Sequence, residues 1–241
     1  MRFHLPIMLL LPLLAASQTG AAPLTISDLF DGQFIDISGS SGTPLGLSDD
    51  EEVLLGSSIS NLVFPSGAIV VANNGGIGFG LANVEELAPL NEPIPSSAAF
   101  TGAQSVLPYW DDIDDKSGEV YFGVVTHPEF GATLIVQWHN RPLNAIASGL
   151  VRFQVQIFAN VGADAIVAQF LYDDIETPGP NGGAGATIGY QDGGAGFDDA
   201  LWSFNTAGAV SNGTVLSLIA TPEPATVILL VPAMMMLFRR R

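Results

Sequence analysis

No cysteine occurs among the 241 residues. That excludes disulfides and thiolate metal sites, so the chain must be held by packing, hydrogen bonds or bound ions. Positive charge is scarce: seven lysines and arginines face 24 aspartates and glutamates, a formal net charge of −17. Four of the seven, Arg2, Arg239, Arg240 and Arg241, stand at the two ends. The interior keeps only Lys116, Arg141 and Arg152 against every acidic residue but Glu223. Such a surface repels nucleic acid and anionic lipid and attracts divalent cations, so nucleic-acid binding is excluded. Histidine is limited to His4, His127 and His139, and neither Gly-x-Ser-x-Gly nor His-Glu-x-x-His is present. Helical periodicity is almost absent, and no apolar run reaches the ~20 residues of a membrane-spanning helix.

What is abundant is glycine, with 27, and proline, with 16, scattered between short segments rich in β-branched and aromatic residues. This pattern predicts many strands joined by turns. The clearest is 150–158, where Val151, Phe153, Val155 and Ile157 alternate with Arg152, Gln154 and Gln156, predicting one buried face and one wet face. Residues 165–172 follow as its antiparallel neighbour, and 119–126 pairs with 133–138 across a turn at 127–131. Further strands are expected at 33–37, 59–64, 68–72, 77–81, 186–191, 201–204 and 214–219, with one helical turn at 84–87. About eleven short strands define an all-β fold, a β-sandwich. Residues 38–44 and 177–185 read as exposed loops of small residues.

The two ends differ from this interior. Residues 1–22 carry Arg2, an apolar run of about ten residues and then small residues, the layout of a signal peptide with cleavage after Ser17 or Ala21. Residues 221–241 run from Pro222, Glu223 and Pro224 through an apolar stretch, 225–238, to Arg239, Arg240 and Arg241. As a helix that stretch spans only about 21 Å at ~1.5 Å per residue, short of a ~30 Å hydrocarbon core. This order resembles the PEP-CTERM sorting signal of Gram-negative bacteria. The resemblance implies transient inner-membrane contact, processing by an exosortase-type membrane protease and placement at the cell surface or in the extracellular matrix. A plain C-terminal tail anchor is the alternative. Between the ends, 23–220 is expected to form one domain.

Four pieces of that domain, in order, resemble the extracellular nidogen-like (NIDO) domain. They are Asn73, Asn74, Gly75 and Gly76 leading into Ile77, Gly78, Phe79 and Gly80; Pro108, Tyr109, Trp110 and Asp111 to 114 followed by 118–122; the pair 135–138 and 152–156; and 186–190. The resemblance implies a non-catalytic adhesion or matrix module, here one associated with an exopolysaccharide. The cysteine-rich neighbours of its animal relatives have no counterpart.

Chemistry is concentrated in Asp111, Asp112, Asp114, Asp115 and Glu119. Four carboxylates within five residues repel one another, and a hard cation such as calcium relieves that with oxygen ligands, although the spacing is not an EF-hand. A solvated turn is the plainer reading. The run Asp49, Asp50, Glu51, Glu52 reads as an exposed loop or helix start. Asp198 with Asp199 and Asp173 with Asp174 could lend ligands in the fold. Tyr109, Trp110 and Trp202 could stack on sugar rings if they were exposed. The alternative from another class is a secreted glycan hydrolase using carboxylates near Asp111 and Asp114.

Overall fold

The computed structural model describes residues 24–144, 149–159, 161, 165–175 and 182–221, which form thirteen strands and no α-helix. The expected signal peptide, 1–22, and residues 222–241 of the expected sorting signal, with its C-terminal helix, lie outside the described residues. The strands are β1 (Leu24–Ser27), β2 (Thr43–Pro44), β3 (Glu52–Ser57), β4 (Gly67–Ala72), β5 (Gly76–Phe79), β6 (Ser105–Trp110), β7 (Glu119–His127), β8 (Gly131–Pro142), β9 (Leu150–Phe158), β10 (Ala165–Asp174), β11 (Thr187–Gln191), β12 (Ala200–Phe204) and β13 (Val215–Ala220). They build a seven-stranded sheet ordered β1-β13-β10-β9-β8-β7-β2 and a six-stranded sheet ordered β12-β11-β6-β5-β4-β3, with every pair antiparallel. No helix among the described residues is long and apolar enough to cross a membrane.

The main core fills the space between the sheets. Trp138 on β8 stacks on Phe153 of β9 at 4.9 Å, Tyr109 on β6 leans on Phe153 at 5.4 Å, and Phe64 stacks on Phe79 of β5 at 4.6 Å. Each such fully buried side chain contributes roughly 1.5–3 kcal/mol by leaving water. Alternate positions of β4 point the other way, and in β6 a shift in the register with β11 brings Leu107 and Trp110, three residues apart, to that same face. Val70, Ala72, Leu107 and Trp110 join Leu87, Ala99 and Phe100 in a second, smaller core beneath the irregular 81–103 segment. The expected helical turn at 84–87 is not formed, because Leu87 is extended and bridged to Ala99.

The seven-stranded sheet is covered on its outer face too, which corrects the expectation of a wet face on β9. Gln137, Gln154, Gln156 and Gln169 are all fully buried. Residues 28–42 leave β1 at one edge of the sheet and run across it to β2 at the other. Gln169 donates to the Asp31 carbonyl at 3.0 Å, and Gln156 donates to the Gln33 carbonyl at 2.8 Å. The Gln154 amide meets both backbone groups of Ile35, and Gln137 accepts from the Ile37 N–H at 2.9 Å while donating to Asp36 at 2.8 Å. The strand expected at 33–37 is therefore a transverse strap, its backbone polar groups taken by side chains rather than by a ladder. Residues 59–64 are likewise a loop, held by Asn61, whose Nδ2 donates to the carbonyls of Phe158 and Val167.

Register gives the sandwich two ends. Leu24 pairs with Ala220, which also pairs with Ala165 at the start of β10. At the opposite end Glu119 faces His139 and Arg152 faces Asp174. Both ends of the domain therefore leave from one end of the sandwich, and the loops that carry Asp49, Asp50 and Asp111 to Asp115 lie at the other.

Candidate functional site

At that second end the β4–β5 hairpin acts as a clasp. Gly75 turns with φ +83, and a Cβ there would lie 1.9 Å from the Tyr109 carbonyl oxygen, so only glycine lets the hairpin reach β6. Asn73 and Asn74 are fully buried. The Asn73 amide donates to the Ile113 carbonyl, and its backbone N–H donates to Glu51 O at 2.9 Å. Asn74 accepts from the Ile113 N–H at 3.0 Å and donates to Asp50 Oδ1 at 2.9 Å. The indole of Trp138 donates to the carbonyls of Ala72 and Asn73 at 3.1 and 3.0 Å. One hairpin thus ties together the loop before β3 and the loop between β6 and β7.

The carboxylates meet across these two loops. Asp49, Asp50 and Asp112 bring one oxygen each within 4.8 Å of one another. Asp50 sits at φ +55, and Asp112 is held by Asn144 Nδ2 at 2.8 Å. Burial, then the charges of Asp50, Asp114, Asp112 and Asp115, push the Asp49 carboxyl above its ordinary value. Beneath them lies Arg141, buried at a break in the β8–β9 register, donating to Leu47 O at 3.0 Å and to Asn73 Oδ1. Burial lowers its pKa, against the opposing pull of Glu119, Asp115, Asp114 and Asp49. The protein therefore supplies its own internal cation to an otherwise repulsive junction.

Of the five residues singled out as metal ligands, only Asp112 joins the three-carboxylate group. Asp114 is tied to Lys116 by an ion pair and by the Lys116 N–H at 3.0 Å, and that hydrogen-bonded partner lowers its pKa. Asp115 is exposed. Glu119 pins the β2–β3 loop by accepting from Gly46 N at 3.1 Å, and it also accepts from Val120 N beside it at 2.7 Å. Asp111 turns towards Gly185, where a Cβ would come within 2.8 Å of Oδ2, and burial pushes its carboxyl up to about 6. The other two members, Asp49 and Asp50, come from the run read as a loop or helix start. It is a loop that leads into β3, and nothing in its spacing pointed to Asp112. Asp173 pairs with Arg152, while Asp198 and Asp199 lie beyond the end of β11, away from this junction. Tyr109 and Trp110 are buried, so they offer no sugar platform, and the half-buried Trp202 donates to Ala209 O at 3.1 Å.

A family model described as NIDO related matches residues 30–230. The chain belongs to the NIDO-related family. No curated protein and no solved structure matches it. Within this NIDO-related domain the four resembling pieces are structural neighbours. The Asn-Asn-Gly hairpin clasps the Asp111 to Asp115 loop, β8 and β9 pair through Val136 and Val155, and β11 pairs with β6. Three carboxylates offer the hard oxygen donors that calcium takes, and of the three only Asp49 feels the charge of Arg141.

Proposed function

We propose that this protein is an exported, non-catalytic adhesion module associated with the exopolysaccharide or surface of a Gram-negative envelope. Its route there is the signal peptide, transient inner-membrane contact through 225–238 and processing near Pro222, Glu223 and Pro224 by an exosortase-type protease. The observation that carries this reading is the NIDO-related match across nearly the whole folded chain. The pairing of Leu24 with Ala220 supports it: only Thr221 separates β13 from Pro222, so a tether at the tail leaves the acidic end facing away. Binding of the exported protein to its own producer's exopolysaccharide, without sugar release, is the expected result, and sugar release would overturn it.

The alternative, a glycan hydrolase, draws on one observation, the raised Asp111 carboxyl. Asp114, its suggested partner, is committed to Lys116. Sugar release abolished by Asp111→Asn would favour this alternative; release unaffected by that change would remove Asp111 from it.

A further inference from the structure

Taking the glycan-associated reading above as given, we propose that the cleft between the 94–102 segment and the β11–β12 turn is a binding site for a neutral pyranose of such a polymer. The cleft has a volume of about 430 Å³ and is lined by Ser97, Gln191, Phe197, Asp198 and Asp199 among others. Its walls are fixed before any ligand arrives. Gln191, 1 % exposed, accepts from Ser96 N at 2.6 Å and donates to Ala103 O at 3.0 Å, so one buried amide joins the end of β11 to the opposite wall. The Asp192 carboxylate gathers the N–H groups of Gly194, Gly196 and Phe197 at 2.9, 3.2 and 2.8 Å. Asp199 accepts from Asp192 N at 2.7 Å. A Cβ on Gly193 would lie 2.1 Å from Gln104 N, so the turn is pressed against the far wall.

What this frame presents is a half-buried phenyl ring beside the exposed Asp198 carboxylate and the exposed Ser97 hydroxyl. Among the described residues the lining contains no cation, which disfavours uronates, sulfates and phosphates. The polar lining equally disfavours a purely apolar ligand. A pyranose satisfies both surfaces, laying its C–H face on Phe197 and giving hydroxyl protons to Asp198, since O–H to carboxylate bonds are among the stronger hydrogen bonds. Because the walls are preorganised, little ordering cost attends binding.

The test is affinity electrophoresis of the full-length protein in mild detergent, through gels cast with dextran, galactomannan or alginate. Retardation by at least one neutral polymer and not by alginate is expected. Asp198→Asn and Phe197→Ala should each raise the apparent Kd at least tenfold, and Asp198→Asn, at an exposed position, should keep the wild-type melting temperature. Unchanged retardation of both variants overturns the site while leaving the glycan-associated reading intact. Alginate retarding as strongly as the neutral polymers overturns the site on charge. No retardation of the wild type in any gel overturns the site, while the glycan-associated reading falls only if the producer's own exopolysaccharide also fails to bind.

Discussion

Replacing Glu52 by glutamine should stabilise the protein at alkaline pH and leave it unchanged in acid. Glu52 opens β3, and its Oε1 accepts from Leu87 N at 3.0 Å. Burial, with the charges of Glu86, Asp50 and Glu51, pushes its carboxyl from 4.5 up to about 7. The native state therefore holds the proton more tightly than the unfolded chain. Below about pH 4 both states are protonated and the group is neutral to stability. Between 4.5 and about 7 the unfolded chain ionises first, stability falls as pH rises, and above about 7 the loss is constant. At ~1.4 kcal/mol per pKa unit the ceiling is roughly 3 kcal/mol. Solvent screening of a half-exposed group reduces this to about 1–2 kcal/mol. Glutamine keeps the shape and the acceptor but never ionises. Melting curves of both proteins at pH 4, 6 and 8 should then diverge by roughly 2–8 °C at pH 8, at ~2–4 °C per kcal/mol, and coincide at pH 4. A difference that is the same at every pH would refute the reasoning.

Arg141→Met should destabilise the fold by about 1–3 kcal/mol at neutral pH, because it strands the Leu47 carbonyl and the buried Asn73 Oδ1 that the guanidinium satisfies, and a loss under about 0.5 kcal/mol in denaturant titration would contradict the role given to it. Millimolar calcium should raise the melting temperature, and Asp112→Asn should remove the rise; calorimetry showing no shift for the wild type would exclude a cation at the Asp49, Asp50 and Asp112 group. Gln156→Leu should cost about 1–2 kcal/mol by stranding the Gln33 carbonyl and should speed proteolysis within 28–38, with equal cleavage rates counting against the strap.

Much of the seven-stranded sheet was legible because β9 alternates strictly and β7, β8 and β10 are rich in β-branched and aromatic residues. The same alternation misled at Gln154 and Gln156, since a polar stripe looks alike whether water or a crossing chain satisfies it. Gln33 to Ile37 has strand-like composition, but its partners are glutamine side chains over 90 residues away, which no local pattern reveals. β6 was hidden by Pro108, whose free carbonyl instead accepts from Tyr172 Oη at 2.5 Å. β3 was hidden by the acidic run that precedes it. Residues 177–185 read as exposed, yet Gly182 and Gly183 are buried, with a Gly182 Cβ falling 2.0 Å from Val210 O. At the candidate site the Asp111 cluster and the Asn-Asn-Gly motif were both visible, and their contact was not. Asp49 and Asp50 reach Asp112 only through the hairpin that Gly75 permits.

Export by the proposed sorting route fixes the fate of the chain's last residues. Intact-mass spectrometry of the mature protein recovered from outside the producing cells should find a product that ends close to Pro222, Glu223 and Pro224. A product that still carries Phe238, Arg239, Arg240 and Arg241 would contradict it.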